Sequence, residues 1–135
     1  MTVNAIAVLL AAVSSMVVGT VWYLPRVFGD RWQAITGKNP SKPRNPAATY
    51  SGSFVAAAVT AVVLEIASGL VHESVGGSSV LVAVATAVVL WAGFTAAPSA
   101  VHYLFEGRGV PLFAINVLHQ LATALVMAII IGLFG

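Results

Sequence analysis

The chain has 135 residues, of which 59% are hydrophobic and only 7% charged, with a formal net charge of +2 and no cysteine. A soluble domain carries roughly 25% charged residues, so a chain this short and apolar, with mean hydropathy +0.98, cannot cover itself with polar surface and must use lipid as its solvent. Without cysteine there are no disulfides, thiolate metal sites or Cys nucleophiles, and the pI of about 9.4 comes from a few clustered basic residues, which points to anionic headgroups at one membrane face and away from nucleic acid.

Val3 to Val21 is an uninterrupted run of small and apolar residues, long enough to cross about 30 Å of hydrocarbon at 1.5 Å per residue. No lysine or arginine precedes Arg26, so the run lacks the basic start of a signal peptide and reads as a retained transmembrane helix. Asn4, Ala7, Ala11, Ser15, Gly19 and Trp22 recur at spacings of three or four and share one face, of the kind that lets another backbone approach closely in lipid. The run ends in Trp22-Tyr23-Leu24-Pro25-Arg26-Val27-Phe28-Gly29-Asp30-Arg31-Trp32. Aromatics at headgroup depth, a helix-ending proline and water-seeking arginines mark a membrane boundary there.

Tyr23 to Tyr50 is the sizeable polar stretch. Val27 to Ile35 fits a short interfacial helix with Val27, Phe28, Trp32 and Ile35 towards lipid and Arg31 snorkelling. Lys38 to Pro46, with three prolines, reads as an extended loop. The stretch holds Arg26, Arg31, Lys38, Lys42 and Arg44 against Asp30, which makes it cytoplasmic by the positive-inside rule. Phe54 to Val71 is the second span. Glu65, Ser68, Gly69 and His72 form a polar stripe along it, which faces protein or water rather than lipid. Val80 to Ala97 is the third span, running on as helix through a kink at Pro98 towards Phe105. Val110 to Phe134 is the fourth, with Asn116, His119, Gln120 and Thr123 again at i, i+3, i+4 and i+7. Tyr23-Leu24 and Tyr103-Leu104, each followed by a turn with Gly and Arg, echo one another as in a two-plus-two repeat.

The expected architecture is therefore all-α, a single four-transmembrane-helix bundle. Its spans fall at about residues 3–22, 53–72, 79–98 (or on to 105) and 110–134, with a cytoplasmic loop over 23–51 and both termini outside.

Trp22-Tyr23-x-Pro25-x-x-Phe28-Gly29-x-x-Trp32, Trp91-x-Gly93-Phe94, Leu104-Phe105-Glu106-Gly107-Arg108, Ile115-Asn116 and His119-Gln120 together resemble DUF family 1761, a bacterial membrane domain of unknown function. The resemblance spans essentially the whole chain. It implies a four-helix integral membrane protein and brings no activity and no catalytic residues, and it leaves open whether the Lys38 to Pro46 insert and Glu65 are shared features.

Glu65 is the one acid well inside a span. Counted from Gly52 it lies roughly 20 Å across, and His119, counted from Val110, about 14 Å, so a tilted helix pair could bring the two together to relay protons or hold a cation. The blander reading makes Glu65 a neutral hydrogen-bonding group, paired with an amide such as Gln120, that glues helices together. Asn116 and His72 complete this candidate intramembrane polar set. His72, His102 and His119 stand at different depths, and no HxxxH or HExxH pair occurs, so neither haem nor zinc is expected, and no cofactor. Phe105, Glu106, Gly107 and Arg108 form an inner turn whose charges read as a solvated pair.

Two functional classes remain. The favoured one is a non-enzymatic structural or accessory protein, a homo-oligomer or a subunit of a membrane complex. Its docking surfaces would be the Ser15/Gly19 face and the anchors Trp22, Tyr23, Pro25, Phe28 and Trp32. The alternative is a small proton- or cation-coupled transporter or channel using Glu65 and His119, similar in size and plan to the four-helix multidrug-resistance type. Topology is open to test at once. Single cysteines at Thr2, Ser41 and Ser78 should react with an impermeant thiol reagent in intact cells at the first and third positions only, and labelling at Ser41→Cys would reverse the orientation.

Overall fold

The computed structural model describes residues 3–134. Among them are helices α1 (Ala5–Trp22), α2 (Asp30–Thr36), α3 (Pro46–Val75), α4 (Ser79–Trp91), α5 (Ala97–Glu106) and α6 (Val110–Phe134), and no strand. Four continuous helical stretches are long and apolar enough to cross a membrane: Ala5–Trp22, Pro46–Val75, Ser79–Glu106 and Val110–Phe134. The all-α, four-span architecture read from the sequence is the fold.

Successive spans run antiparallel, and α1 and α4 each pack against both α3 and α6. Their inward faces are built largely of alanine: Ala7, Ala11 and Ala12 on α1, Ala57 and Ala61 on α3, Ala83 and Ala87 on α4, and Ala128 on α6 are buried, with Leu64, Met127 and Ile131 filling the wider gaps. Lipid supplies no hydrophobic force between helices, so such close packing is what holds them together. Ile6, Leu9, Val13 and Val17 on α1 and Val55, Val59, Val63 and Leu70 on α3 point outward and are exposed, as a lipid-facing surface requires.

The inward α1 face is the one that carries Ala7, Ala11, Ser15 and Gly19. A side chain at Gly19 would sit 3.5 Å from His119 Nε2 of the same chain. The small-residue stripe expected to dock a second copy is thus turned into the bundle, with Ala7 and Ala11 fully buried and Ser15 and Gly19 half-buried. A four-helix chain already contains the partners that such a stripe needs.

Two further expectations change. Helix α3 begins at Pro46, well before the expected edge near residue 53, because Asn45 Oδ1 accepts from Ala48 N (3.2 Å) and Pro46 occupies the first turn. An asparagine cap followed by proline starts a helix, so the last of the three loop prolines belongs to the helix. The region expected to form one interfacial helix is a wide π-helical turn, Pro25–Gly29, followed by α2. Val27 and Ile35 are exposed as expected, but Phe28 packs on Trp22 at 4.6 Å and Trp32 meets Tyr23 edge-on at 5.8 Å between ring centroids. These two aromatics face protein. Gly29 N donates to Leu24 O (2.9 Å), and a Cβ at Gly29 would clash with the Tyr23 and Leu24 carbonyls, so only glycine fits this turn. A second π-helical turn, Ala92–Ala96, absorbs the bend before Pro98, with Ala97 N reaching back to Ala92 O. Such widened turns re-satisfy backbone groups near a proline.

At the terminal end of the bundle, Ser79 Oγ donates to Gly132 O (2.7 Å), and a Cβ on Gly132 would lie 2.5 Å from Val80 Cα and 3.0 Å from Val80 N. Backbone cannot move aside as a flexible side chain can. Gly132→Ala is therefore expected to destabilise by about 1–3 kcal/mol, the usual range for overpacking. Gly93→Ala, at a position with nothing within 4 Å, should be near neutral in the same thermal melt in detergent, and equal melting of the two variants would contradict this packing.

Candidate functional site: a basic cleft and a separate acidic cavity

Aromatic and polar residues gather where α1 ends. Trp22 Nε1 donates to Ile115 O (3.0 Å), Tyr23 Oη donates to Asn116 Oδ1 (2.8 Å), and Asn116 Nδ2 donates to Tyr103 Oη (2.6 Å). The two Tyr-Leu corners that echo one another in sequence therefore meet on one amide. Burial, and behind it the neighbouring Tyr103, push the Tyr23 phenol up to about 12, so Tyr23 stays a neutral donor across the physiological range. His119 stands next to it, with its ring centroid 5.1 Å from that of Tyr23 and 6.1 Å from that of Trp22, and with Nε2 at 3.4 Å from Thr123 Oγ1.

Of these groups Tyr23, Asn116 and His119 form the floor of an open cleft of about 1070 Å³. Its walls are Ser15, Gly19 and Thr20 of α1 and Thr49, Tyr50 and Ser53 of α3, with Trp32 at one side, and the Lys38 to Arg44 segment folds over it. Lys38, Lys42 and Arg44 line the cleft and no carboxylate does. The cleft thus has a cation-rich mouth over a hydrogen-bonding floor.

Glu65 lies elsewhere. It is 8% exposed, its Oε1 accepts from Asn4 N (2.9 Å), and its Oε2 is buried without a partner. It borders a smaller cavity of about 400 Å³ lined also by Asn4, Ser68, His72, Glu73, Ser79 and Phe134. Asn4 is bonded to Glu65, whereas Gly19 of the same helix abuts His119, which puts the two groups about 22 Å apart along α1 at 1.5 Å per residue. Glu65 and His119 do not meet. The depth count went astray because α3 starts at Pro46, so that Glu65 stands about 28 Å along its helix while His119 stands about 14 Å along α6.

The remaining candidates are placed as follows. Gln120 is exposed and does not reach Glu65, whose partner is the α1 backbone. His72 Nε2 pairs with Gly77 O (2.9 Å) and closes the α3–α4 turn. Ser15 and Gly19 are half-buried walls of the cleft, Pro25 and Phe28 shape the turn beside it, and Trp22 bonds inward to the α6 backbone. In the inner turn Phe105 is exposed, Gly107 ends α5 with φ +65°, Glu106 and Arg108 form an exposed pair at 3.4 Å, and the Arg108 guanidinium lies 5.3 Å above the Tyr103 ring. Among the described residues no group of three His, Cys, Asp or Glu could hold a metal ion. What sequence reasoning missed is Tyr103 as a partner of Asn116, and the signal was the repeated Tyr-Leu pair.

The family model described as Protein of unknown function (DUF1761) matches residues 6–132. The chain belongs to this family. No curated protein and no solved structure matches it. In this DUF1761 chain, Trp22, Tyr23, Phe28, Trp32, Asn116 and His119 converge at the cleft end.

Glu65→Gln keeps an acceptor for Asn4 N, whereas Glu65→Leu leaves that amide unpaired. Glu65→Gln should therefore melt close to wild type, and Glu65→Leu should lose about 1–3 kcal/mol. Equal loss in both would show that the Asn4 contact is not what Glu65 contributes to stability.

Proposed function

We propose that this DUF1761 protein is a non-enzymatic accessory protein of the cell membrane, acting as a homo-oligomer or as a subunit of a larger membrane complex, with the basic cleft as its working end. The observation that carries the reading is the separation of its polar groups. Ala11, Ala61, Leu64 and Met127 pack between the cleft and the Glu65 cavity, and the two cavities share no lining residue. A proton or cation relay needs continuous polar partners, and this pair of sites lacks them. The cleft also places no carboxylate beside His119, so the third group that orients the base in a hydrolytic triad is missing.

In this reading the basic loop lies in the cytoplasm, both termini lie outside, and the contact with lipid is strongest on the anionic inner leaflet. Self-association would use an outward stripe. Gly52, Ala56 and Thr60 on α3 are exposed at spacings of four, and nothing lies within 4 Å of a Cβ built at Gly52, so a second helix has room to approach.

Purified protein in mild detergent should give the mass of a dimer or larger assembly, or come with a bound partner, and Gly52→Leu should shift self-association towards monomer. Reconstituted protein should show no proton or monovalent-cation flux above empty liposomes. A pH-dependent flux abolished by Glu65→Gln would instead establish the transporter reading, and monomer alone with no partner would remove the accessory one.

A further inference from the structure

The cleft has the chemistry of a specific lipid site. We propose that it holds the headgroup and glycerol region of a single anionic phospholipid, with the phosphate held by Lys38, Lys42 and Arg44. The inference rests on the cleft being the working end of the protein, and it adds the ligand.

Three observations carry it. The first is charge: three cations and no carboxylate border the same space, since neither Asp30 of the basic stretch nor Glu106 lines it, and Glu106 is paired with Arg108. An anion entering the cleft meets uncompensated positive charge, and arginine and lysine are the side chains that recognise phosphate. The second is depth. The wall runs down α1 from Tyr23 to Ser15, about 12 Å along the helix axis, from the loop end of the helix into its apolar span. A soluble anion needs only the mouth, whereas an amphiphile uses the whole length. The third is the floor. Trp32, Tyr23, Asn116 and His119 offer aromatic faces and hydrogen-bonding groups, which suit the amphipathic zone of a lipid. At about 1070 Å³ the space is at the upper end of small-molecule sites, roughly 300–1,000 Å³, and admits a headgroup together with its glycerol.

A basic loop also attracts anionic membranes diffusely, so the decisive variants are those that block the cleft while leaving every charge in place. Ser15→Leu and Ser53→Leu each project a bulky side chain from opposite walls. The full chain in detergent is titrated with short-chain phosphatidylglycerol, short-chain phosphatidylcholine and inorganic phosphate, and binding is read from quenching of tryptophan fluorescence by brominated forms of the lipids. We expect saturable binding of phosphatidylglycerol at least tenfold tighter than of phosphatidylcholine, little displacement by millimolar phosphate, and a loss of about fivefold per cation on Lys38→Gln, Lys42→Gln or Arg44→Gln. Either leucine variant, checked by its melt to be folded, should abolish saturation.

Binding that does not saturate, or that survives both leucine substitutions, would overturn the site in favour of diffuse attraction. Displacement by millimolar phosphate would overturn the lipid as ligand. Failure here leaves the accessory reading standing, whereas flux in proteoliposomes would sink that reading without touching lipid binding.

Discussion

Helix α6 is the post to which the other spans are tied, and the ties are side chains bonded to its backbone. At one end Asn4 Nδ2 donates to Phe134 O (2.8 Å) and Ser79 Oγ donates to Gly132 O (2.7 Å). At the other, Trp22 Nε1 donates to Ile115 O (3.0 Å) and Trp91 Nε1 to Val117 O (2.9 Å). Helices α1 and α4 are thereby pinned to α6 at both ends. Each bond fixes a register that alanine packing alone would leave free to slide. The cleft is a consequence. With α1 held against α6 at Trp22, Tyr23 reaches Asn116, and α3 is left to form the far wall below the basic loop.

The same ties explain why polar residues sit at two levels with little between them. Alanine faces bring the helix axes close through the middle of the bundle, and close axes leave no room for hydrated side chains. Where the helices end, unsatisfied backbone groups and turns demand polar partners. Glu65 meets such a demand at the start of α1, and His72 meets one in the α3–α4 turn. Asn116 joins the two Tyr-Leu corners. Each polar group that looks exceptional on a hydropathy scale has a local task, and the cleft end is where the tasks leave donors and cations around open space.

Much of this was legible in the sequence. Four spans and their order follow from length and hydropathy, because the bilayer sets a minimum run of apolar residues. Tertiary choice was less legible. The Ala7/Ala11/Ser15/Gly19 face reads equally well as a surface for another chain or for another helix of the same chain, and only the fold shows that Ala7 and Ala11 are buried inside the bundle while Ser15 and Gly19 border the cleft. Glu65 and His119 looked close because depth was counted from Gly52, and the Asn45-Pro46 start that corrects the count lay inside what read as a proline loop. Trp22 and Trp32 read as interfacial anchors by composition. Their inward turn depends on a π-helical turn that is set by Gly29, a constraint visible only once the carbonyls of Tyr23 and Leu24 are placed around it.

The central claim is that two polar sites open to opposite sides of the membrane and a packed core separates them. Water access tests it most directly. With single cysteines at Ser15 in the cleft, Ala61 in the core and Ser68 beside Glu65, oriented proteoliposomes are treated from either side with a charged, membrane-impermeant thiol reagent. The structure predicts that Ser15→Cys reacts only from the side of the basic loop, Ser68→Cys only from the opposite side, and Ala61→Cys from neither. Reaction of Ala61→Cys, or of either other position from both sides, would mean that a continuous aqueous path crosses the bundle and would contradict the account.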